Sequence, residues 1–283
     1  MIIKLLKLGL GGILLLVLAL FGYAKLTNKN FSELALVILS SIKSWSGQEV
    51  AWQQLSRVER PLLDHDLWDQ LLQSYVDLEG NVDYEGMRDN QGQLKDYLQQ
   101  LSTSPPGNNW SEADALAYWI NAYNAFTVQL ILDHYPLASI KDISAGLPMI
   151  NSPWDIKFFQ IEGIDFDLNT IEHAILRKQF SEPRIHFAIN CASFSCPRLR
   201  NEAYTADRLE AQLKDQTLYF LNNSDKNLIG TNQVQLSQIF NWFTGDFTQD
   251  RSLIEYLKTH TSIPIQEKAK ISFLEYQWQL NKK

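Results

Sequence analysis

Apolar positions along the chain recur first with helical spacing and then with mixed spacing. Leu63, Leu67, Leu71, Tyr75 and Leu78 predict a helix over residues 62–78, ended by Gly80-Asn81. Residues 93–101 predict a shorter helix, closed by Ser104-Pro105-Pro106-Gly107. Behind the capping pattern of Ser111 and Asp114, residues 115–134 run without Gly or Pro until Pro136 stops them, the clearest helix of the chain. Residues 154–168 alternate about Glu162-Gly163 and predict a β-hairpin. A short helix is expected over 169–178, and RIHFAIN (184–190) reads as a strand with Ile185, Phe187 and Ile189 on one face. Helices over 206–221 and 249–259, and one or two strands within 263–280, complete the expectation. Helical first and mixed afterwards, this is the order of an α+β fold.

The first residues follow another logic. Lys4 and Lys7 precede seventeen uncharged residues, Leu8 to Ala24. That is the composition of a signal anchor or a signal peptide over 1–26, with Gly22-Tyr23-Ala24 as the nearest cleavage site. The positive-inside rule then puts the remainder outside the cytoplasm, in the periplasm of a Gram-negative cell, with the membrane as a partner through this helix. A cleaved signal would leave the protein secreted. The expected organisation is therefore an anchor or signal at 1–26, a helical juxtamembrane linker at 27–60 and a single domain at 61–283. Apolar residues at 45% exclude general disorder. A net charge of −7 with no long Lys/Arg run excludes nucleic acid as a partner.

Both cysteines lie in one stretch, RIHFAINCASFSCPRLR, at Cys191 and Cys196. Cys191 falls where the expected strand gives way to a loop of small and hydroxyl residues, Ala192, Ser193 and Ser195. A free thiol is mostly protonated at pH 7, and an imidazole that takes its proton makes it a far better nucleophile. His186 and His173 are the nearby candidates. The same residues admit two other readings: a C-x4-C disulfide, or a zinc site built from His186, Cys191, Cys196 and one more ligand. Glu172, three residues after Asn169, sits where a helix cap wants it. Asn121 and Asn124 share one face of the long helix; their amides either pin backbone in the core or line a catalytic cleft. His134 suits the end of its helix, while His65 and His260 stand alone.

The motifs AYWINAYNAFTV (117–128), LNTIEHAILR (168–177), RIHFAINCASFSCPRLRNEAY (184–204) and LSQIFNWFTGDF (236–247) resemble the domain-of-unknown-function family 547. The resemblance implies a papain-like α+β domain, similar to the phytochelatin-synthase-like group. It also implies a cofactor-independent cysteine hydrolase or transferase without a metal, acting on peptide or γ-glutamyl amides, with a peptide or a glutathione-like molecule as partner. Carried onto this chain, the nucleophile is Cys191 and the base His173, with His186 as its rival. Glu172 would orient a histidine, and Asn121, Asn124 and Ser193 would bind substrate or an oxyanion. Gln277 stands in YQWQLN where the resemblance leads one to expect an Asp. Plant relatives look like interaction proteins and suggest the alternative, a non-catalytic membrane-tethered binding or scaffold domain, here with a Cys191–Cys196 disulfide, although the resemblance allows Ser at the second position and so argues against an obligatory bridge.

Overall fold

The computed structural model describes residues 57–144 and 152–283, which all fall within one unit of the chain, 47–283. The expected anchor over 1–26 lies outside the described residues, as does nearly all of the expected linker. Among the described residues no helix is long and apolar enough to cross a membrane.

Three helices open the described chain: α1 (Asp66–Tyr75), α2 (Tyr84–Asp89) and α3 (Gln91–Thr103). They pack around α4 (Glu112–His134). Ser111 caps α4 by accepting from the Asp114 amide, while the Asp114 carboxylate accepts from the Ser111 amide. Every residue of α4 from Leu116 to Leu132 is buried, so this helix has core on all sides rather than an apolar stripe. Trp68 of α1 and Tyr97 of α3 join its own Tyr118 and Trp119 in the main core, each contributing about 1.5–3 kcal/mol through burial. Polar residues inside α4 therefore depend on partners within the protein, which Tyr118, Asn121, Tyr123 and Asn124 find and Thr127 Oγ1 does not.

The expected hairpin is present as β1 (Phe159–Ile161) and β2 (Ile164–Phe166), paired antiparallel. Glu162 (φ 50°) and Gly163 (φ 74°) both take left-handed backbone, the requirement of a tight I′ turn. A π-helical segment, Thr170–Leu176, follows and runs on into one α-turn, α5 (Arg177–Gln179). Its cap is Asp167, which accepts from the amide and the hydroxyl of Thr170 at 2.7 Å each. Asn169 makes no cap, which frees Glu172 of a capping role.

The stretch read as a strand, 184–190, is instead a short helix, α6 (Ile185–Ala188). The amides of Ile185, His186 and Phe187 donate to the carbonyls of Glu182, Pro183 and Arg184, which winds the turn. All four residues of α6 are buried, so their alternation had no solvent-facing side to record.

After α7 (Leu209–Asn222) a second, smaller core forms around Phe187, Phe220, Phe240, Phe247 and Leu257. It is built by β3 (Leu228–Ile229), β4 (Gln233–Leu236), α8 (Gln238–Trp242), α9 (Thr244–Phe247), α10 (Leu253–Lys258) and β5 (Lys270–Phe273). β4 is central, antiparallel to β3 and parallel to β5. The architecture is thus the expected mixture of helices followed by small sheets, with two small sheets rather than one. The strands expected over 263–280 contract to β5. The residues beyond it fold back across the molecule: Gln279 accepts from Phe194, Leu280 donates to Ala138, and Lys283 donates to Val82.

Candidate active site around Cys191

The loop carrying both cysteines, 189–199, leaves α6 and is held from three sides. From α4, Asn124 donates to the Ala188 carbonyl at 3.0 Å and accepts from the Asn190 amide at 2.8 Å. From within, Asn190 donates to the Pro197 carbonyl at 2.7 Å and accepts from the Ala192 amide at 2.9 Å. From the C-terminal segment, Ser195 and Gln277 exchange two bonds: the Gln277 amide donates to Ser195 Oγ, and the Ser195 amide to the Gln277 carbonyl. Gly80 (φ 85°) supports the far side; a Cβ there would meet Arg198 Cα and the Leu199 amide nitrogen at 2.8 Å. Ala192 itself adopts φ 56°, an uncommon conformation for a residue with a Cβ, immediately after Cys191.

The two cysteines are paired as a disulfide. Their environments differ. Cys196 is 5% exposed, and its Sγ accepts the amide N–H of Cys191 at 2.8 Å. Cys191 is partly exposed, with Ser193 Oγ and Tyr276 Oη each 3.2 Å from its Sγ. A disulfide sulfur carries no proton, so Tyr276 donates to it, while Ser193 Oγ donates to Tyr276 Oη at 3.3 Å.

Behind Tyr276 lies Glu172, buried on the π-helical segment. Tyr123, from α4, donates to its carboxylate at 3.2 Å, and Trp154 donates to the Tyr123 hydroxyl. Burial pushes Glu172 up to about 7, against the opposing pull of the Arg177 charge and the Tyr123 bond. Burial raises Tyr276 above the ordinary phenol range, the Glu172 charge adding to it. Trp242 and Trp278 flank the Tyr276 ring at 4.7 and 4.5 Å, and Lys141 sits 3.9 Å over Trp278.

Both candidate histidines belong to a separate cluster. His186, buried, is bonded through Nε2 to Asp246 at 2.7 Å and stacks on Phe243 at 4.0 Å. Arg177 clamps the same carboxylate with two bonds, at 2.6 and 3.0 Å, and donates to His173 Nδ1 at 3.1 Å. Burial drives His173 down to about 3, with the Arg177 and His186 charges helping. Burial also lowers His186, partly offset by its bond to Asp246. Burial works to raise Asp246, yet the bonds from His186 and Arg177 outweigh it and hold the carboxyl well below its usual range. Among the described residues, no imidazole hydrogen-bonds the Cys191 sulfur.

The structure thus joins Cys191 to Ser193 and joins His173 to His186, but it separates the two pairs' hydrogen-bond networks. Glu172 orients neither histidine through a hydrogen bond; its nearest imidazole contact is 3.9 Å, to His173. Asn121 bonds the carbonyl and amide of Tyr204, as Asn124 bonds 188 and 190, so both amides pin backbone in the core rather than line a cleft. Gln277 takes no part in orienting a histidine; that acid is Asp246, inside FTGDF. Sequence reasoning passed over Asp246, Tyr276 and Tyr123, whose only signal was an acid or a phenol inside aromatic-rich stretches. No group of His, Cys, Asp and Glu that could hold a metal occurs among the described residues.

Residues 108–221 match a family model described as a protein of unknown function, DUF547. The match spans α4, the π-helical segment, α6, the cysteine loop and α7, and stops short of Asp246 and Tyr276. No curated protein and no solved structure matches the chain.

Proposed function

We propose that the Cys191–Cys196 pair is a thiol–disulfide exchange site. The observation that carries this reading is the asymmetry of the two sulfurs: Cys191 is partly exposed, while Cys196 is buried and accepts the Cys191 amide at 2.8 Å. A substrate thiolate attacks Cys191 Sγ, the S–S bond breaks, and Cys196 leaves with the electron pair as a thiolate that this amide stabilises. A second substrate thiol then attacks the substrate sulfur of the mixed disulfide. It releases Cys191 as a thiol and leaves the substrate oxidised by two electrons. An external disulfide restores the pair by the reverse exchange. Glu172, buried and titrating near 7 beside Tyr276, is the proton store for the thiol released at Cys191. An exported domain behind a signal anchor in an oxidising compartment suits such a pair.

A second reading is favoured by the hydroxyls of Ser193 and Tyr276 on the Cys191 sulfur. In the reduced chain they surround a thiol that could serve as the nucleophile of an amide hydrolase on peptide or γ-glutamyl bonds, the papain-like activity that the family resemblance implies. A scaffold domain that only uses the disulfide as a staple is the third outcome.

The test is trapping with a peptide bearing a reduced cysteine pair. In a Cys196→Ser chain activated by an aromatic disulfide, a version of the peptide with one of its two cysteines replaced by serine should form a mixed disulfide at Cys191, read by peptide mass spectrometry. In the unaltered chain, exchange should leave the peptide oxidised. Amide cleavage by the reduced chain, lost in Cys191→Ala, would favour the hydrolase. A disulfide inert to every thiol under native conditions leaves the scaffold.

A further inference from the structure

Against the cysteine loop lies a cavity of about 240 Å³, walled by Cys196, Asn190, Pro197, Arg198, Tyr219 and Lys226 among others. Its two cations are in different situations. Arg198 is committed: it bonds Gln216, Asp215 and the Leu78 carbonyl, and its guanidinium stacks on Tyr219 at 3.7 Å. Lys226 lies 4.0 Å over the ring of Phe194, which belongs to the cysteine loop itself. Among the described residues no carboxylate comes within ion-pair distance of its ammonium, although Asp225 adjoins it and Glu79 lines the same cavity. Burial pulls Lys226 down to about 8, opposed by Asp225, as for a cation short of counter-charge.

We infer that Lys226 is a positioning residue of the exchange site, a cation held beside Cys196 to stabilise the thiolate that the opened disulfide places there. The inference rests on the thiol–disulfide reading above and deepens it. While the disulfide is closed, the cavity is lined by the half-buried Lys226 and by a Cys196 sulfur that carries no charge. When Cys196 leaves as thiolate, that ammonium gains a counter-charge in a site with little water, where the attraction is strong. The Cys191 amide and Lys226 then act on the same sulfur, lowering its thiol pKa and making it a better leaving group. Linkage makes the effect reciprocal: a Cys196 thiolate must raise the pKa of Lys226 by as much as Lys226 lowers that of the thiol.

The experiment uses full-length chains. In Cys191→Ser, whose one remaining thiol is Cys196, thiolate absorbance across pH gives the thiol pKa with and without Lys226→Met. The expected rise is about one unit, and Lys226→Arg should restore most of it. In chains with both cysteines, equilibration with a dithiol buffer should show reduction about tenfold less favourable in Lys226→Met, about 30 mV for this two-electron couple. If Lys226→Met does not fold, acetylation rates of Lys226 in the unaltered chain decide the matter. Reduction should shift their pH midpoint upward. An unmoved Cys196 pKa, or an unmoved Lys226 midpoint on reduction, overturns the inference. Failure of the exchange reading is separate: a disulfide inert to thiols would still leave the Cys191→Ser pKa measurable, and it judges Lys226 alone.

Discussion

The side-chain amide of Asn124 closes a two-bond ring on the backbone of the cysteine loop, donating to the Ala188 carbonyl and accepting from the Asn190 amide. It reaches them from the middle of a helix buried along seventeen residues, so the loop is tied to the core of the fold. Replacing Asn124 by Ala leaves both backbone groups buried and unpaired. The expected loss is about 2–4 kcal/mol, read as a lower urea midpoint. Asn121→Ala, which frees Tyr204 in the same way, should cost a similar amount while leaving cysteine exchange rates nearly unchanged.

Opening the disulfide should cost little stability. The bridge closes a loop of only five residues' separation, for which the chain-entropy relation gives about 2 kcal/mol. Thermal unfolding with and without a phosphine reductant measures this. Folded structure should survive reduction, as an exchange site requires.

Glu172 makes stability depend on pH near neutrality. Its folded pKa, about 7, lies above the ordinary 4.5, so the folded chain holds a proton that the unfolded chain releases. The associated stability is fully present below about pH 4.5 and is lost as pH rises through 7. The total is about 3 kcal/mol. Urea titrations of the unaltered chain and Glu172→Gln between pH 5 and 8 should therefore diverge, the variant gaining relative stability as pH rises. Parallel curves would mean that Glu172 is ionised in the folded protein throughout.

Asp246 has the opposite sign. Its folded pKa is depressed, so its contribution is present above the ordinary 3.8 and disappears on acidification below it. Asp246→Ala strips the counter-charge from Arg177 and the acceptor from His186, and should cost about 2–4 kcal/mol at pH 7. The variant should also lose part of the steepness of acid unfolding below pH 4, followed by tryptophan fluorescence.

Legibility followed the presence or absence of solvent. The α4 helix was readable from Ser111 to Pro136 because its cap and its stop are chemical signals, and the hairpin because Glu162-Gly163 is one too. RIHFAIN misled because α6 is buried on every side, so alternation carried no information about an exposed face. Cys191, Ser193, His173 and His186 were all found as candidates from residue type and spacing. Their grouping was not legible, since Asp246 and Tyr276 come from 60 and 85 residues farther along the chain. Nothing local marks a phenol that will meet a sulfur that distant.

Tyr276 reaches the cysteine loop because residues 277–283 are stitched to it and to Val82 and Ala138 by backbone hydrogen bonds. This sets an order of assembly. Cys191 and Cys196 can meet as soon as their own short loop has emerged, but Tyr276 and the contacts behind it arrive only after residues 276–283 have been made. A chain released or cut before Tyr276 would therefore still oxidise its cysteines. It would do so in an unfinished pocket, without the phenol donor on Cys191 and without the backbone contacts that residues 277–283 make with the loop.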